Sequence, residues 1–346
     1  MSPTFAVPRL HALKKLVFHL LLWTPLLLIA AALFHLAFRT NLPQLVYMDS
    51  IRNMPFDCLD LVPDAYVYKM KPGPCALRNL EYDTVLTHDA DGFRVSPPAP
   101  HYDVAVVGDS HAHGVGVGDD QTFAHLLSSE HHRRVRNLAI GSHATRRELD
   151  VLDTYGRDAD YVVLQYCEND ANENNATLKL GPEALRSQIE ASLKDIMADY
   201  EQGKALGYRK PLQDLARKLL DHSYTSKATW REDLQIRNIE QEAHDFAKIL
   251  DRYRTLLEGK RLIILESSGW LSNSPRFKTR FATELGYLDW PQARVLDTTK
   301  ILADGDSFVL DDHLNAGGHR KLAAAIANEI DDWERADPVL DSRAAE

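Results

Sequence analysis

The chain has 346 residues, 45 % of them apolar and 26 % charged, with 40 Lys and Arg against 50 Asp and Glu for a net charge of −10. That length and apolar content exclude a disordered chain, and the lack of any run of five or six cations excludes a phosphate-backbone binder, so no nucleic-acid partner is expected. Three cysteines, none paired at C-x-x-C spacing, exclude a disulfide-stapled miniprotein and supply no zinc or redox motif.

Leu16 to Phe38 is a run of 23 residues without Asp, Glu, Lys or Arg. As a helix it would cover about 34 Å, enough for a hydrocarbon core of ~30 Å, and Pro25 inside it is tolerated in a span. Arg9, Lys14 and Lys15 precede the run, which by the positive-inside rule puts residues 1–15 in the cytoplasm and everything after the 16–38 span across the membrane. The alternative is a cleaved signal segment, with Ala30, Ala31 and Ala32 as the small-residue site. Residues 39–88 are rich in proline and read as a juxtamembrane collar. Cys58 and Cys75 within it are close enough in sequence to bridge in an oxidising compartment, although two free thiols fit equally well; Cys167 is left over.

From Asp103 the pattern changes. Asp103–Val107, Val135–Ile140, Tyr161–Tyr166, Arg261–Leu265 and Ala293–Leu296 are short apolar runs that read as buried strands. Thr122–Ser128, Arg146–Tyr155 and Ala316–Trp333 read as helices between and after them. Such alternation predicts parallel strands with right-handed crossovers, hence a three-layer α/β/α sandwich spanning residues 89–335. An insert over 181–259 is expected to be helical throughout, with an unbroken amphipathic pattern over Thr229–Leu257. It is either a layer on the sheet or a cap that shapes a substrate groove and offers a surface to a protein partner. The tail, 336–346, is polar and is expected to fray.

Ligands bind open parallel sheets at the carboxyl ends of the strands. Those ends carry Asp109-Ser110, Gly141-Ser142 and Glu168-Asn169-Asp170, and the loop before the last helix carries Asp311-Asp312-His313. An alcohol becomes a nucleophile only when a base takes its proton, so Ser110 needs an imidazole, and His313 is the candidate. A carboxylate on the other ring nitrogen, Asp311 or Asp312, would fix the tautomer and stabilise the imidazolium. The Ser110 N–H, the N–H of Gly141 or of Ser142, and the Asn169 amide are candidate oxyanion donors. Asp109, His111, His113 and His143 are candidate pocket residues. No metal or other cofactor is expected, because no His/Asp/Glu set at helical spacing accompanies the histidines.

Val107 to Val117 (VGDSHAHGVGV) resembles block I of the SGNH, or GDSL-type, hydrolase superfamily. Asn137 to Ser142 (NLAIGS), Tyr166 to Asp170 (YCEND) and Asp311 to His319 (DDHLNAGGH) resemble its blocks II, III and V, in order, over about residues 89–332. The resemblance implies a flavodoxin-like sheet and ester hydrolysis or acyl transfer through Ser110, with His313 and a carboxylate behind it. The acid is often three residues before the histidine; here that position is Leu310, and Asp311 matches a variant of the pattern. Implied substrates are small acyl esters, foremost O-acetyl groups on an envelope or secreted polysaccharide. A competing reading is a catalytically idle, membrane-anchored scaffold that binds glycan or a partner in polysaccharide assembly.

Overall fold

The computed structural model describes residues 7–40, 56–64, 66–78, 81–206, 237–290, 292–309 and 311–336. Helix α1, Val7–Thr40, contains the apolar stretch Val17–His35, 19 residues of mean hydropathy 2.2, none of it buried against the rest of the chain. Its length and composition fit a membrane span or a signal sequence.

Four short strands follow: β1 (Leu59–Leu61), β2 (Tyr68–Met70), β3 (Gly73–Arg78) and β4 (Asp83–His88), which pair antiparallel as β1–β2 and β3–β4. The collar, whose prolines hide any strand pattern, thus carries two small sheets. Pro74 sits in β3 at an exposed position of a two-stranded sheet, where an absent N–H costs little. Cys58 and Cys75 form a disulfide that ties the start of β1 to β3, and Met70, Cys75, Leu77, Tyr82, Leu86 and Val115 make a satellite core.

The body is the expected α/β sandwich. Strands β5 (Val104–Val107), β6 (Val135–Asn137), β7 (Tyr161–Tyr166), β8 (Arg261–Glu266) and β9 (Ala293–Val295) form one parallel sheet in the order β6-β5-β7-β8-β9. Strand residues alternate between two faces, as the pleat demands. Val104, Val106, Val163, Ile263 and Leu265 pack under helices Phe123–Ser129 and Ala316–Ala336. Ala105, Val107, Val162, Leu164, Leu262 and Ile264 pack under helices Thr145–Tyr155, Ile239–Arg252 and Phe277–Tyr287.

Strand β6 stops at Asn137, short of the predicted Ile140. The amides of Leu138 and Ile140 still donate to Val106 and Gly108 at 2.8 and 3.1 Å, but the chain is already bending into the Gly141 turn. Helices Asp170–Lys179 and Phe277–Tyr287 are additions to the sequence reading; the first (DANENNATLK) has no apolar stripe to betray it. Within the insert, helices Pro182–Leu206, Ile239–Arg252 and Arg254–Leu257 are described, and residues 207–236, with the first part of the Thr229–Leu257 pattern, lie outside the described residues. Ile239, Ala243, Phe246, Ile249 and Leu250 are buried at helical spacing, so this part of the insert is a layer on the sheet. The pattern breaks at Tyr253, whose amide closes on Leu250 at 2.9 Å.

The disulfide closes a loop with a sequence separation of 17. A loop of that size is worth ~3 kcal/mol. Replacing Cys75 by Ser is expected to lower the thermal midpoint while leaving the far-ultraviolet circular dichroism of the α/β body intact. An unchanged midpoint would show that the bridge contributes nothing to the fold.

Candidate active site

Directly after β5 the chain makes a four-residue helix, Ser110–His113. The first N–H groups of any helix lack intrahelical acceptors, so a helix this short depends on its surroundings. Gln165, a polar residue in the otherwise apolar strand β7, supplies them: its Oε1 accepts from Asp109 N at 3.0 Å and Ala112 N at 3.2 Å, while its Nε2 donates to Ser267 O at 3.3 Å. The Asp109 carboxylate caps the helix by accepting from His111 N at 2.9 Å. The Ser110 N–H is left without a protein acceptor among the described residues. Gly108 makes the approach feasible, since a Cβ there would lie 2.6 Å from Gln165 Oε1 and 2.8 Å from the Ala112 Cβ.

The imidazole loop is built with equal economy. His313 Nδ1 is 2.7 Å from Asp311 Oδ1 and 3.1 Å from Asp312 Oδ1, and the His313 main-chain N–H also donates to Asp311 Oδ1 at 3.0 Å. Both carboxylates reach the ring, but Asp311 is the nearer and the buried one, and Asp312 is partly exposed. His313 Nε2 is buried and has no hydrogen-bond partner among the described residues. The His313 and His111 rings lie 4.6 Å apart, which brings this loop against the turn that carries Ser110. Burial would pull the His313 ring down, yet the charges of Asp311 and Asp312 outweigh it and hold the ring well above its ordinary value.

Asn169, at the carboxyl end of β7, is exposed and donates from Nδ2 to Asp109 Oδ2 at 3.2 Å. The N–H groups of Gly141 and Ser142 likewise lack protein acceptors among the described residues. Ser142 holds a left-handed φ of +60°, and the turn is braced from below by Tyr68 Oη donating to Gly141 O at 2.9 Å and by Arg147 donating to Ser142 O. Both amides therefore remain open as oxyanion donors, as the sequence left them.

Two expected pocket residues are used elsewhere. His113 is fully buried, with Nε2 3.0 Å from His88 Nε2 of β4, and His143 places Nε2 3.1 Å from Tyr68 O of β2. Both serve the packing of the body against the small sheets. Burial first, then the neighbouring His88 for the one and Arg147 for the other, pushes both rings well below the usual range, so they are neutral. His111 stays with the site, its Nδ1 3.1 Å from Ser267 Oγ and its ring lowered by burial and by His313.

Among the described residues, Asp311, Asp312 and His313 and, on the surface, His101, Asp103 and Asp160 each bring three ligand-type atoms within 4.8 Å of one another. In the first set Nδ1 already serves the carboxylates, and in the second Asp103 is paired with Arg134. Sequence reasoning missed Gln165, Ser267 and the tyrosine Tyr82 discussed below. Only Gln165 left a signal, as the one amide in YVVLQY.

The class that the fold and the site define is a three-layer α/β sandwich with a serine turn and an imidazole–carboxylate pair at the carboxyl edge of a parallel sheet. That is the architecture the SGNH resemblance implied, and the similar solved structures carry GDSL-type and carbohydrate-esterase names. A G-D-S-L family lipolytic protein from Desulfitobacterium hafniense is 12 % identical at a TM-score of 0.35, over 66 % of this chain and 99 % of its own. A carbohydrate esterase family 2 enzyme with a carbohydrate-binding domain from Corynascus thermopiles (Myceliophthora fergusii) is 12 % identical at a TM-score of 0.40, over 71 % and 70 %. A lipase from a goat rumen metagenome is 14 % identical at a TM-score of 0.35, over 65 % and 96 %. No family model and no curated protein matches the chain.

Beneath the serine turn lies a second carboxyl group with consequences for stability. Glu148 is buried with both carboxyl oxygens unpartnered among the described residues, and burial, then the Asp109 charge, raises it well above the carboxylate range. An acid raised by folding contributes its stability at low pH and loses it as pH climbs from the unfolded value of ~4.3 toward the folded one. Glu148→Gln is therefore expected to raise the thermal midpoint at pH 8, by about 2–4 °C per kcal/mol regained, and to change it little at pH 4.5. Equal shifts at both pH values would show that Glu148 is ionised in the fold.

Proposed function

We propose that the protein is a serine-dependent ester hydrolase or O-acyltransferase, with Ser110 as nucleophile, His313 as base and Asp311 as the carboxylate behind it. The observation that carries this reading is the His313 ring: Nδ1 is held by Asp311 at 2.7 Å while the buried Nε2 is left for an external proton. In the first half-reaction Ser110 Oγ attacks the ester carbonyl, its proton passes to His313 Nε2, and the leaving alcohol takes that proton as the acyl-serine forms. Water or an acceptor hydroxyl then reverses the sequence. Charge on the carbonyl oxygen would be met by the Ser110 N–H, the Gly141 or Ser142 N–H and the Asn169 amide, each donor worth roughly 2.7–4 kcal/mol.

The substrate class that the block resemblance implies is a small acyl ester, foremost an O-acetyl group on an envelope or secreted polysaccharide. Arg9, Lys14 and Lys15 before the apolar stretch favour a cytoplasmic N-terminus and a catalytic body on the far side of the membrane. The Cys58–Cys75 bridge suits an oxidising compartment.

Covalent labelling tests the reading. A fluorophosphonate probe is expected to modify Ser110, located by peptide mass spectrometry, with the adduct suppressed in Ser110→Ala and His313→Ala and ester turnover reduced about 10³-fold or more in each. A folded wild-type protein that takes no adduct and leaves p-nitrophenyl acetate untouched would return the weight to an idle scaffold.

The raised His313 ring sets the pH dependence. The base must be neutral to accept a proton, so turnover is expected to rise with pH through a midpoint above the ~6.5 of an ordinary imidazole. A midpoint at or below that value would mean that the resting charge pair is not the one that titrates in turnover.

A further inference from the structure

The loop that carries Asp311 and His313 is gripped from outside the α/β body. Glu81 and Tyr82 lie at the tip of the β3–β4 hairpin, between the last paired residues Arg78 and Asp83. Glu81 accepts two main-chain N–H bonds from the loop, from Val309 to Oε1 at 2.6 Å and from Asp311 to Oε2 at 2.8 Å. Tyr82 donates its phenol to Asp311 Oδ2 at 2.6 Å in a buried contact. The Tyr82 ring has little room to move: it lies 5.0 Å from the Phe308 ring, and a Cβ on Gly116 would come within 2.8 Å of its edge.

These contacts divide the Asp311 carboxylate between two elements. Oδ1 serves His313, through both the ring Nδ1 and the main-chain N–H, and Oδ2 serves Tyr82. A carboxylate held at both oxygens cannot rotate about its terminal bond without losing a charge-assisted hydrogen bond. Asp312 also reaches Nδ1, at 3.1 Å.

We propose that Tyr82, with Glu81 beside it, is a positioning residue for the Asp311–His313 pair, so that the disulfide-tied hairpin orients the base of a site built on another sheet. This deepens the reading of Ser110, His313 and Asp311 as the catalytic set and rests on it. The phenol also absorbs part of the Asp311 charge. Without the hydroxyl the carboxylate acts with full charge on His313, and the ring holds its proton to higher pH. The other groups facing that ring are Asp312 on the same loop, His111 and His113 from the helix after β5, and His319 from the last helix. Of these, Asp312 also acts on Tyr82 through its charge.

The test compares wild type with Tyr82→Phe and Glu81→Gln in the full chain. Tyr82→Phe keeps the ring that packs on Phe308 and Gly116 and removes only the donor. It is expected to lower kcat for p-nitrophenyl acetate about tenfold, with KM within twofold. The His313 Cε1–H resonance is expected to titrate at higher pH than in wild type, at an unchanged unfolding midpoint within a few degrees. Glu81→Gln, which weakens the grip on the Val309 and Asp311 amides, is expected to lower kcat in the same direction. Wild-type kcat and an unmoved His313 titration in Tyr82→Phe would overturn the proposal. If wild type itself neither hydrolyses the ester nor takes a probe on Ser110, the catalytic reading fails instead, and the His313 titration still decides whether the hairpin positions the ring.

Discussion

A four-residue helix cannot satisfy its own amides, and the architecture at the carboxyl edge follows from how this chain meets that demand at Ser110–His113. Gln165 takes the Asp109 and Ala112 N–H groups, and the Asp109 carboxylate takes that of His111. One amide is left over, that of Ser110 itself, and on the proposed reading of Ser110 as nucleophile it is where an oxyanion is received. The same Gln165 amide reaches Ser267 O on the far side, so one buried side chain fixes three strand ends relative to one another. An amide is tolerated in this otherwise apolar strand because both its Oε1 and its Nε2 find hydrogen-bond partners.

Charge is distributed around that turn in a consistent way. His88, His111, His113, His143 and His319 are all pushed down, and burial is the largest cause for each. His313 is the exception because it alone among these has two carboxylates on one ring nitrogen. His313 is thus the one ring of this set that is pushed up rather than down. At this buried site the Asp311–His313 attraction is stronger than at the surface, and so is the penalty for misplacing it.

Much of this was legible in the chain. The five apolar runs gave the strands, because a sheet covered on both faces needs continuous apolar residues, and the strand ends then pointed to Ser110 and Asn169, the loop before the last helix to His313. Helix Asp170–Lys179 was not legible because its few apolar residues form no stripe, and the two collar sheets were not because β1 and β2 are three residues each and β3 opens on Gly73-Pro74. The inward turn of His113 and His143 depended on Tyr68 and His88, residues of those same unseen strands. Tyr82 and Glu81 were silent for another reason: their partners are 228 to 230 residues away, and no local period records a contact of that kind.

The amides of the serine turn find side-chain acceptors within 56 residues, whereas the phenol–carboxylate contact spans 229, and the bond from the Phe123 amide to His319 Nδ1 spans 196. Contacts of high sequence separation form only after long loops have closed. The segment that supplies His313 is also the one that docks helix Ala316–Ala336 onto the sheet. On the proposed reading, the base and the helix that covers one face of the sheet thus come from one continuous segment.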